Sequence, residues 1–151
     1  MEEALRRVGI TSINIQRGEI FKVRDELITL PKSRLPSQPP REIHEYRLVL
    51  VLQTDTDNQD VKYPLVLVAP LSHRVKLKDD KDYRLIKGKC GNSKDSLVQL
   101  GLIQPILKTE LVTPPIGKLD SFSMMDVEAI LAANLGLIER QSPGLQTKVI
   151  E

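Results

Sequence analysis

Two runs of apolar residues, separated by a polar segment, dominate the hydrophobic pattern of this chain. The first run covers residues 47–55 and reads Arg-Leu-Val-Leu-Val-Leu-Gln-Thr-Asp, and the second covers residues 65–72 and reads Leu-Val-Leu-Val-Ala-Pro-Leu-Ser. Short, continuously apolar runs that are rich in Val and bounded by turn residues are typical of buried strands. We therefore predict two buried strands joined through Asn58 as a hairpin or as near neighbours. In an antiparallel pair, Arg47 and Ser72 would lie at the same edge of the sheet.

Shorter patterns predict the rest of the sheet. We expect further strands at residues 20–24, 83–87, 96–103 and 105–111, because these segments are apolar or alternating and are bounded by turn residues. Residues 27–30 could extend the first of these strands, and residues 105–111 could continue the preceding strand or form an edge strand. The Pro114-Pro115 pair is predicted to end the sheet, because proline cannot donate a ladder hydrogen bond.

A proline-rich segment precedes the buried pair. Residues 31–40 contain four prolines, which exclude a helix and a central strand from this part of the chain. We interpret the segment as an exposed loop. Loops of this length inside a compact domain are uncommon and are often functional, although some are disordered.

The last regular element is predicted to be an amphipathic helix. Ser123 is a suitable N-cap and is followed by acidic residues in the first turn. One apolar stripe recurs at helical spacing and consists of Val127, Ile130, Leu131, Leu135 and Ile138. The helix is predicted to end near Arg140. Five or six short strands followed by one helix indicate a mainly β fold, a small and partly open β-barrel with a packed C-terminal helix.

Composition limits the class of protein. The 151 residues suit one domain, and a chain with 3% aromatic residues and no Trp must build its core from Leu, Val and Ile. The net charge of +2 does not by itself indicate nucleic-acid binding, so an electrostatic site would have to arise from clustered charges. The single Cys90 is interpreted as a passive small side chain and fits a reducing compartment. With no apolar run approaching ~20 residues, we expect a soluble, cytoplasmic protein without a membrane segment.

Several standard sites are missing from the sequence. It contains no glycine-rich phosphate loop, no dinucleotide fingerprint and no nucleophile elbow. One Cys and two distant His residues make a structural zinc site improbable, and we expect no metal and no cofactor. His44 and His73 flank the predicted strand pair and are candidates for acid–base chemistry, although most such histidines are solvated loop residues.

A series of short motifs carries a resemblance to a known family. The motifs are residues 17–20 (Arg-Gly-Glu-Ile), 47–55, 68–72 (Val-Ala-Pro-Leu-Ser), 95–98 (Asp-Ser-Leu-Val) and 116–119 (Ile-Gly-Lys-Leu), followed by the predicted helix. In this order and spacing they resemble the MazF/PemK family of toxin endoribonucleases. The resemblance implies an SH3-like barrel at residues 17–140, with an N-terminal extension at 1–16 and a flexible tail at 141–151.

The same resemblance implies an activity and partners. It points to a homodimeric toxin of a type II toxin–antitoxin system that cleaves single-stranded RNA without a metal. Attack of the ribose 2′-oxygen on the adjacent phosphate would leave a cyclic phosphate and a free 5′-hydroxyl, and a cognate antitoxin would block the RNA groove. The loops at residues 25–46 and 54–63 would set the base preference.

Individual positions match the family's motif. Arg47 falls where the family has its catalytic arginine, which would pair with the phosphate and stabilise transition-state charge. Ser72 falls where the family usually has a threonine, so that the phosphate-binding hydroxyl is kept. Glu42 falls where many members have a loop glutamate, and it could accept the proton of the 2′-hydroxyl. Without the family, an arginine such as Arg47 would more often be solvated or ion-paired.

The chain also departs from the family's pattern. Leu48 replaces a frequent proline, and Gln104 stands where a basic residue is common in a late strand. The missing cation could be supplied by Lys108, Lys76 or Arg74. The residues that we expect to contact RNA are Arg41, His44, His73, Arg74, Gln104 and Lys108.

Three functions remain open at this level. The first is an RNA endonuclease toxin in which Arg47 and Ser72 hold the phosphate and Glu42 or His44 accepts the proton. The second is a catalytically degenerate barrel that binds RNA or a protein partner without cleavage. The third is a toxin relative that acts on a topoisomerase, because one fold can serve several functions.

Overall fold

The computed structural model describes residues 14–31 and 41–140, so the predicted tail, most of the N-terminal extension and most of the proline-rich segment lie outside the described residues. Within them the chain forms seven strands. Their bounds are β1 Glu19–Arg24, β2 Tyr46–Val51, β3 Leu65–Ser72, β4 Asp82–Leu85, β5 Ser96–Gln99, β6 Gln104–Leu107 and β7 Val112–Lys118. Two α-helices, α1 Asp55–Asn58 and α2 Ser121–Asn134, complete the regular elements. The mainly β fold with a C-terminal helix is confirmed.

The strands form one antiparallel sheet that does not close. Its order is β4-β5-β3-β2-β1-β7, and β6 also pairs with β3. The β3 strand is shared, because β2 occupies one of its edges while β6 and β5 follow one another along the other. Leu65 lies opposite Leu107 in β6, and Ser72 lies opposite Leu97 in β5. Strand β3 therefore pairs with β6 along its first half and with β5 at its end.

The predicted buried pair is confirmed as β2 and β3. They are antiparallel, with Val49 opposite Pro70 and Val51 opposite Val68. Alternate residues of β2 enter two different apolar clusters, because Val49 packs on one face of the sheet and Leu50 on the other. Both faces are thus covered, which explains why the run is continuously apolar and not alternating.

Several details of the sheet prediction are wrong. The strand predicted at 96–103 ends at Gln99, and the strand predicted at 105–111 ends at Leu107, because a 3₁₀ helix follows each of them. Residues 27–30 do not extend β1, because the chain turns through a 3₁₀ helix at Asp25–Leu27. The Pro114-Pro115 pair does not end the sheet either, since it lies within β7, which pairs with β1. Prolines are tolerated there because β7 is the terminal strand in the sheet order and its register with β1 shifts between Ile20 and Lys22.

The C-terminal helix α2 is confirmed, with different ends. Its N-cap is Asp120, whose Oδ1 accepts a 2.7 Å hydrogen bond from the amide of Ser123, the residue that we predicted as the cap. The helix ends at Asn134 and not near Arg140, because Gly136 takes a positive φ of 74° and closes the last turn. Val127 is fully buried against the sheet. None of the described helices has the length and apolar character needed to span a membrane.

Candidate functional site

A buried carboxylate, Asp25, organises the end of the sheet where Arg47 lies. Asp25 follows β1, two residues after Val23, which pairs with Arg47 across the β1–β2 ladder. Its side chain is 0% exposed and accepts three hydrogen bonds. Arg47 Nε donates to Oδ1 at 2.6 Å, while Arg41 Nη1 and the His44 amide donate to Oδ2 at 2.9 Å each. One carboxylate therefore gathers three residues of the predicted site.

Arg47 is held at two points but is not sealed. Besides the bond from Nε to Asp25, its Nη1 donates to the carbonyl of Leu71 at 2.8 Å. Among the described residues its Nη2 has no hydrogen-bond partner, and the side chain is 14% exposed. The guanidinium is thus fixed in its plane with one terminal nitrogen open. An anion can reach Nη2 without displacing Asp25.

Arg41 has a different role from the one predicted for it. Both of its terminal nitrogens are engaged, Nη1 by Asp25 Oδ2 and Nη2 by the carbonyls of Asp25 at 2.6 Å and Ile28 at 2.9 Å. Its side chain is only 9% exposed. Arg41 therefore ties the segment before β2 to the 3₁₀ turn after β1, and in this conformation it has no terminal nitrogen free for RNA.

The charges of this cluster do not balance. Burial raises the pKa of Asp25, but the hydrogen bonds from Arg47, the His44 amide and Arg41 outweigh that effect and hold the pKa below its usual value. Asp25 is therefore ionised at neutral pH. Two guanidiniums and one carboxylate leave one positive charge in excess, which would favour a bound anion.

Ser72 lies beside Arg47 through the pairing of the strands. Continuing the β2–β3 register by two residues from the Val49–Pro70 pair places Arg47 opposite Ser72, and the bond from Arg47 to the Leu71 carbonyl agrees with this placement. Ser72 is half-buried, and its Oγ accepts a hydrogen bond from the amide of Arg74 at 3.2 Å. Oγ keeps its hydrogen for another acceptor.

His73 contacts the neighbouring strand. Its Nδ1 lies 3.4 Å from Oγ of the buried Ser96, which also donates to the Lys94 carbonyl at 3.0 Å. Because a hydroxyl has one hydrogen, Ser96 accepts from His73, which places the proton on Nδ1 and leaves Nε2 as an acceptor. Burial, the charge of Lys94 and, more weakly, the charges of Arg47 and His44 lower the pKa of His73, against an opposing hydrogen bond with Asp95.

Glu42 and Arg74 are exposed at the rim of this region. Glu42 stands in sequence between Arg41 and His44, two of the three residues that bind Asp25, and it makes no hydrogen bond or ion pair with another described residue. The side chain of Arg74 is likewise exposed, although its amide is bound to Ser72.

Gln104 and Lys108 are both engaged by backbone groups of the chain. Gln104 binds the backbone of Thr29 through its side-chain oxygen at 2.9 Å and through its nitrogen at 3.1 Å. Lys108 is buried, and its Nζ donates to the carbonyls of Asp57 at 2.6 Å and Asp60 at 2.9 Å. It follows β6 at the Leu65 end of β3, the end opposite Ser72. Both side chains therefore serve the fold in this arrangement.

Asp25 is the residue that the sequence analysis missed. A signal existed, because Asp25 follows an alternating strand whose inward positions are Phe21 and Val23, so that a carboxylate is predicted at the next inward position. An inward acid needs a cation, and Arg47 at the start of the adjacent buried strand is the nearest candidate. Among the described residues, no group of three or more His, Cys, Asp or Glu side chains could hold a metal ion.

Solved structures show where this fold occurs. The chain is similar to the Mycobacterium tuberculosis toxin MazF-mt6, with a TM-score of 0.59 and 16% identity over 78% of this chain and 96% of that one. A mycobacterial endoribonuclease solved with its cognate antitoxin gives a TM-score of 0.59 and 15% identity over 83% and 98%. MazF from Deinococcus radiodurans gives 0.58 and 14% over 82% and 98%. At these identities the likeness shows the fold alone.

Sequence comparison identifies the family. A search of curated proteins found no match. The profile of the PemK-like, MazF-like toxins of type II toxin–antitoxin systems, however, matches residues 16–135, which is most of the chain and includes Asp25, Arg47 and Ser72. The resemblance that the motifs indicated is therefore confirmed, and the chain belongs to the PemK-like, MazF-like toxin family of type II toxin–antitoxin systems.

Proposed function

We propose that this toxin is an endoribonuclease that cleaves single-stranded RNA without a metal ion. The observation that carries the proposal is the guanidinium of Arg47, which is held by Asp25 and the Leu71 carbonyl while Nη2 stays open, at the end of the sheet where β3 ends with Ser72. A fixed cation next to a hydroxyl suits the phosphate of a nucleic-acid backbone. Two of the solved relatives are described as endoribonucleases, which supports the same reaction class.

The proposed reaction is an internal transfer at phosphorus. The ribose 2′-oxygen attacks the adjacent phosphorus and loses its proton, the bond from phosphorus to the 5′-oxygen breaks, and the products are a 2′,3′-cyclic phosphate and a 5′-hydroxyl. Arg47 Nη2 stabilises the charge that builds up on the phosphate oxygens, and Ser72 Oγ donates to one of them. The exposed carboxylate of Glu42 accepts the 2′-proton, and a solvent proton reaches the departing oxygen.

The deciding experiment compares two arginines in RNA cleavage with a chelator present. Arg47→Ala removes the open guanidinium and should lower the cleavage rate about 10²- to 10³-fold, the usual cost of losing a transition-state donor. The matched control is Arg17→Ala, because Arg17 also makes one ion pair, to Glu128 at 2.9 Å, and one bond to a carbonyl, that of Leu52 at 3.1 Å. This control should cleave like the wild type.

Three outcomes would contradict the proposal. Undiminished cleavage by Arg47→Ala would remove Arg47 from the site. Cleavage of a substrate in which the nucleotide before the cut is 2′-deoxy would exclude attack by the 2′-oxygen. Loss of wild-type activity with the chelator, restored by a divalent cation, would show a metal-dependent reaction.

A second candidate is a degenerate barrel that binds RNA without cutting it. It is favoured by Gln104, which replaces a cation and is engaged by Thr29, and by the burial of Lys108. Salt-dependent RNA binding by the wild type, with no products after hours, would favour this candidate.

We also propose that the chain forms a homodimer and binds an antitoxin. Two structural relatives are MazE–MazF complexes, which supports an antitoxin partner. Near the start of α2, Phe122 is 80% exposed and Met125 is 63% exposed, and exposed apolar side chains of this size are typical of an interaction surface. Light scattering should give a dimer mass that Phe122→Glu lowers to the monomer mass. A monomeric wild type would exclude the homodimer.

A further inference from the structure

Asp25 is tied to the candidate site more closely than a carboxylate in the core requires. It binds Arg47 and His44 from the segment at the start of β2, and it binds Arg41, which anchors the chain just before them. We infer that Asp25 is a positioning residue that orients Arg47 toward the RNA phosphate. This inference rests on the proposed function, because it assigns a role within the same reaction.

The geometry shows how the orientation is achieved. The bond from Nε to Asp25 Oδ1 and the bond from Nη1 to the Leu71 carbonyl lie on opposite sides of the guanidinium group. Bonds on both sides prevent rotation about the Cδ–Nε axis, so that Nη2 keeps a single direction. A guanidinium that is already held loses little further entropy when it binds the phosphate, and a preorganised donor stabilises the transition state best.

Loss of the Asp25 charge should affect RNA binding and RNA cleavage in different ways. Removing the charge of Asp25 leaves two guanidiniums, those of Arg41 and Arg47, without their shared anion. Each would then be freer to attract an RNA phosphate, so ground-state binding should be kept or strengthened. Loss of the charge-assisted bond at Nε, together with the repulsion between the two cations, would however release Arg47 from its fixed direction. RNA should therefore bind well and be cleaved slowly, a combination that loss of fold does not produce.

The opposite role for Asp25 is an inhibitory one. A carboxylate that competed with the phosphate for Arg47 would have to occupy Nη2, the nitrogen that the phosphate needs. Asp25 instead occupies Nε, and in the described part of the chain Nη2 has no partner. The position of the open nitrogen therefore favours positioning over inhibition.

The main variant is Asp25→Asn, which keeps the shape and removes the charge. Single-turnover cleavage should fall about 100-fold, as for the loss of an oriented donor. The dissociation constant for a 2′-O-methyl RNA, which cannot be cleaved, should stay equal or fall. The slope of the logarithm of this constant against the logarithm of the salt concentration should steepen by about 0.7, the value for one extra phosphate contact on a single strand. Asp120→Asn, an exposed aspartate that caps α2, is the matched control and should change neither quantity.

A second variant separates positioning from stability, because Asp25→Asn alone could unfold the protein. The double variant Asp25→Asn/Arg41→Met restores the net charge of the cluster. It should regain much of the thermal stability and still cleave about 100-fold more slowly than the wild type, because a neutral amide at position 25 accepts the bond from Arg47 Nε more weakly than the carboxylate does. In nuclear magnetic resonance spectra, the slowly exchanging Nε–H signal of Arg47 should be present in the wild type and lost in this variant.

Each result decides between the alternatives. Binding and cleavage that fall together, in proportion to the unfolded fraction, would show a merely structural role and overturn the inference, as would recovery of the full rate in the double variant. Faster cleavage by Asp25→Asn would show inhibition. A wild type that cleaves no RNA would overturn the proposed function and this inference with it, whereas an active wild type and an equally active Asp25→Asn would overturn the inference alone.

Discussion

Asn58 should be one of the most sensitive polar positions in the chain, although its side chain touches neither Arg47 nor Ser72. It ends α1, in the connection between β2 and β3, and is only 2% exposed. Its Nδ2 donates to the carbonyl of Gln53 at 2.8 Å and to Asp55 Oδ1 at 3.1 Å, and its Oδ1 accepts from Gln53 Nε2 at 3.1 Å. Asn58→Ala removes all three hydrogen bonds.

The cost of that change follows from what the partners keep. Gln53 Nε2 retains the Leu65 carbonyl, and Asp55 Oδ1 retains the amide of Arg17 at 2.6 Å, so these two groups lose only part of their bonding. The Gln53 carbonyl loses its side-chain donor inside the protein. At roughly 0.5–1 kcal/mol for each of the three hydrogen bonds, plus about 1 kcal/mol for the carbonyl left without a donor, the free energy of unfolding should fall by about 3 kcal/mol.

Thermal and urea unfolding would measure this effect. For a domain of this size, about 3 kcal/mol corresponds to a decrease in Tm of roughly 10 °C. Asn14→Ala, the same change at an exposed residue, should stay within about 0.5 kcal/mol of the wild type. A decrease in Tm below about 3 °C for Asn58→Ala would refute the reasoning, because it would show that water or a local rearrangement replaces the network at little cost.

The remaining predictions concern backbone packing and pH. Gly117→Ala should reduce stability severely, since a Cβ there would collide with the carbonyl of Cys90, whereas Gly101→Ala, which meets only the Lys81 side chain at ordinary distance, should be tolerated; urea unfolding of both variants tests this. Because the pKa of Asp25 is lower in the folded state than its unfolded value of about 3.9, its contribution to stability should be complete above about pH 5 and be lost as the pH falls through the folded pKa. Acid titration followed by circular dichroism should therefore show a smaller loss of stability below pH 4 in Asp25→Asn than in the wild type, and equal losses would contradict the assignment.

The pattern of apolar positions predicted the strands because side-chain burial in the sheet determines which positions are apolar. The two apolar runs gave β2 and β3, whose antiparallel pairing puts the start of β2 and the end of β3 at the same end of the sheet. The prediction failed at a pair of prolines, a residue type that usually ends a strand. The Pro114-Pro115 pair lies inside a strand because β7 is a terminal strand with a shifted register, which a local pattern cannot reveal.

The site was predictable only in part, because charge pairing is a tertiary property. Sequence motifs selected Arg47 and Ser72, which lie together, but they also selected Lys108, which folds against the carbonyls of Asp57 and Asp60. The sequence shows that a lysine is present, but only the path of the folded chain shows whether that lysine lies near the phosphate site. Asp25 was missed for the same reason, since its importance arises from Arg41, which precedes β2 and is distant in sequence.

The surplus of positive charge makes a purely structural role for the Asp25 cluster a poor explanation. A buried ion pair seldom improves stability over apolar packing, and a second buried cation adds desolvation cost that one carboxylate cannot offset. Arg41 alone would satisfy Asp25 and tie the two segments together, since it also binds the carbonyls of Asp25 and Ile28. Arg47 adds to this structure a charge whose Nη2 has no partner in the described part of the chain. Such an arrangement is explained if the missing anion comes from outside, and under the proposed function a backbone phosphate of RNA would supply it.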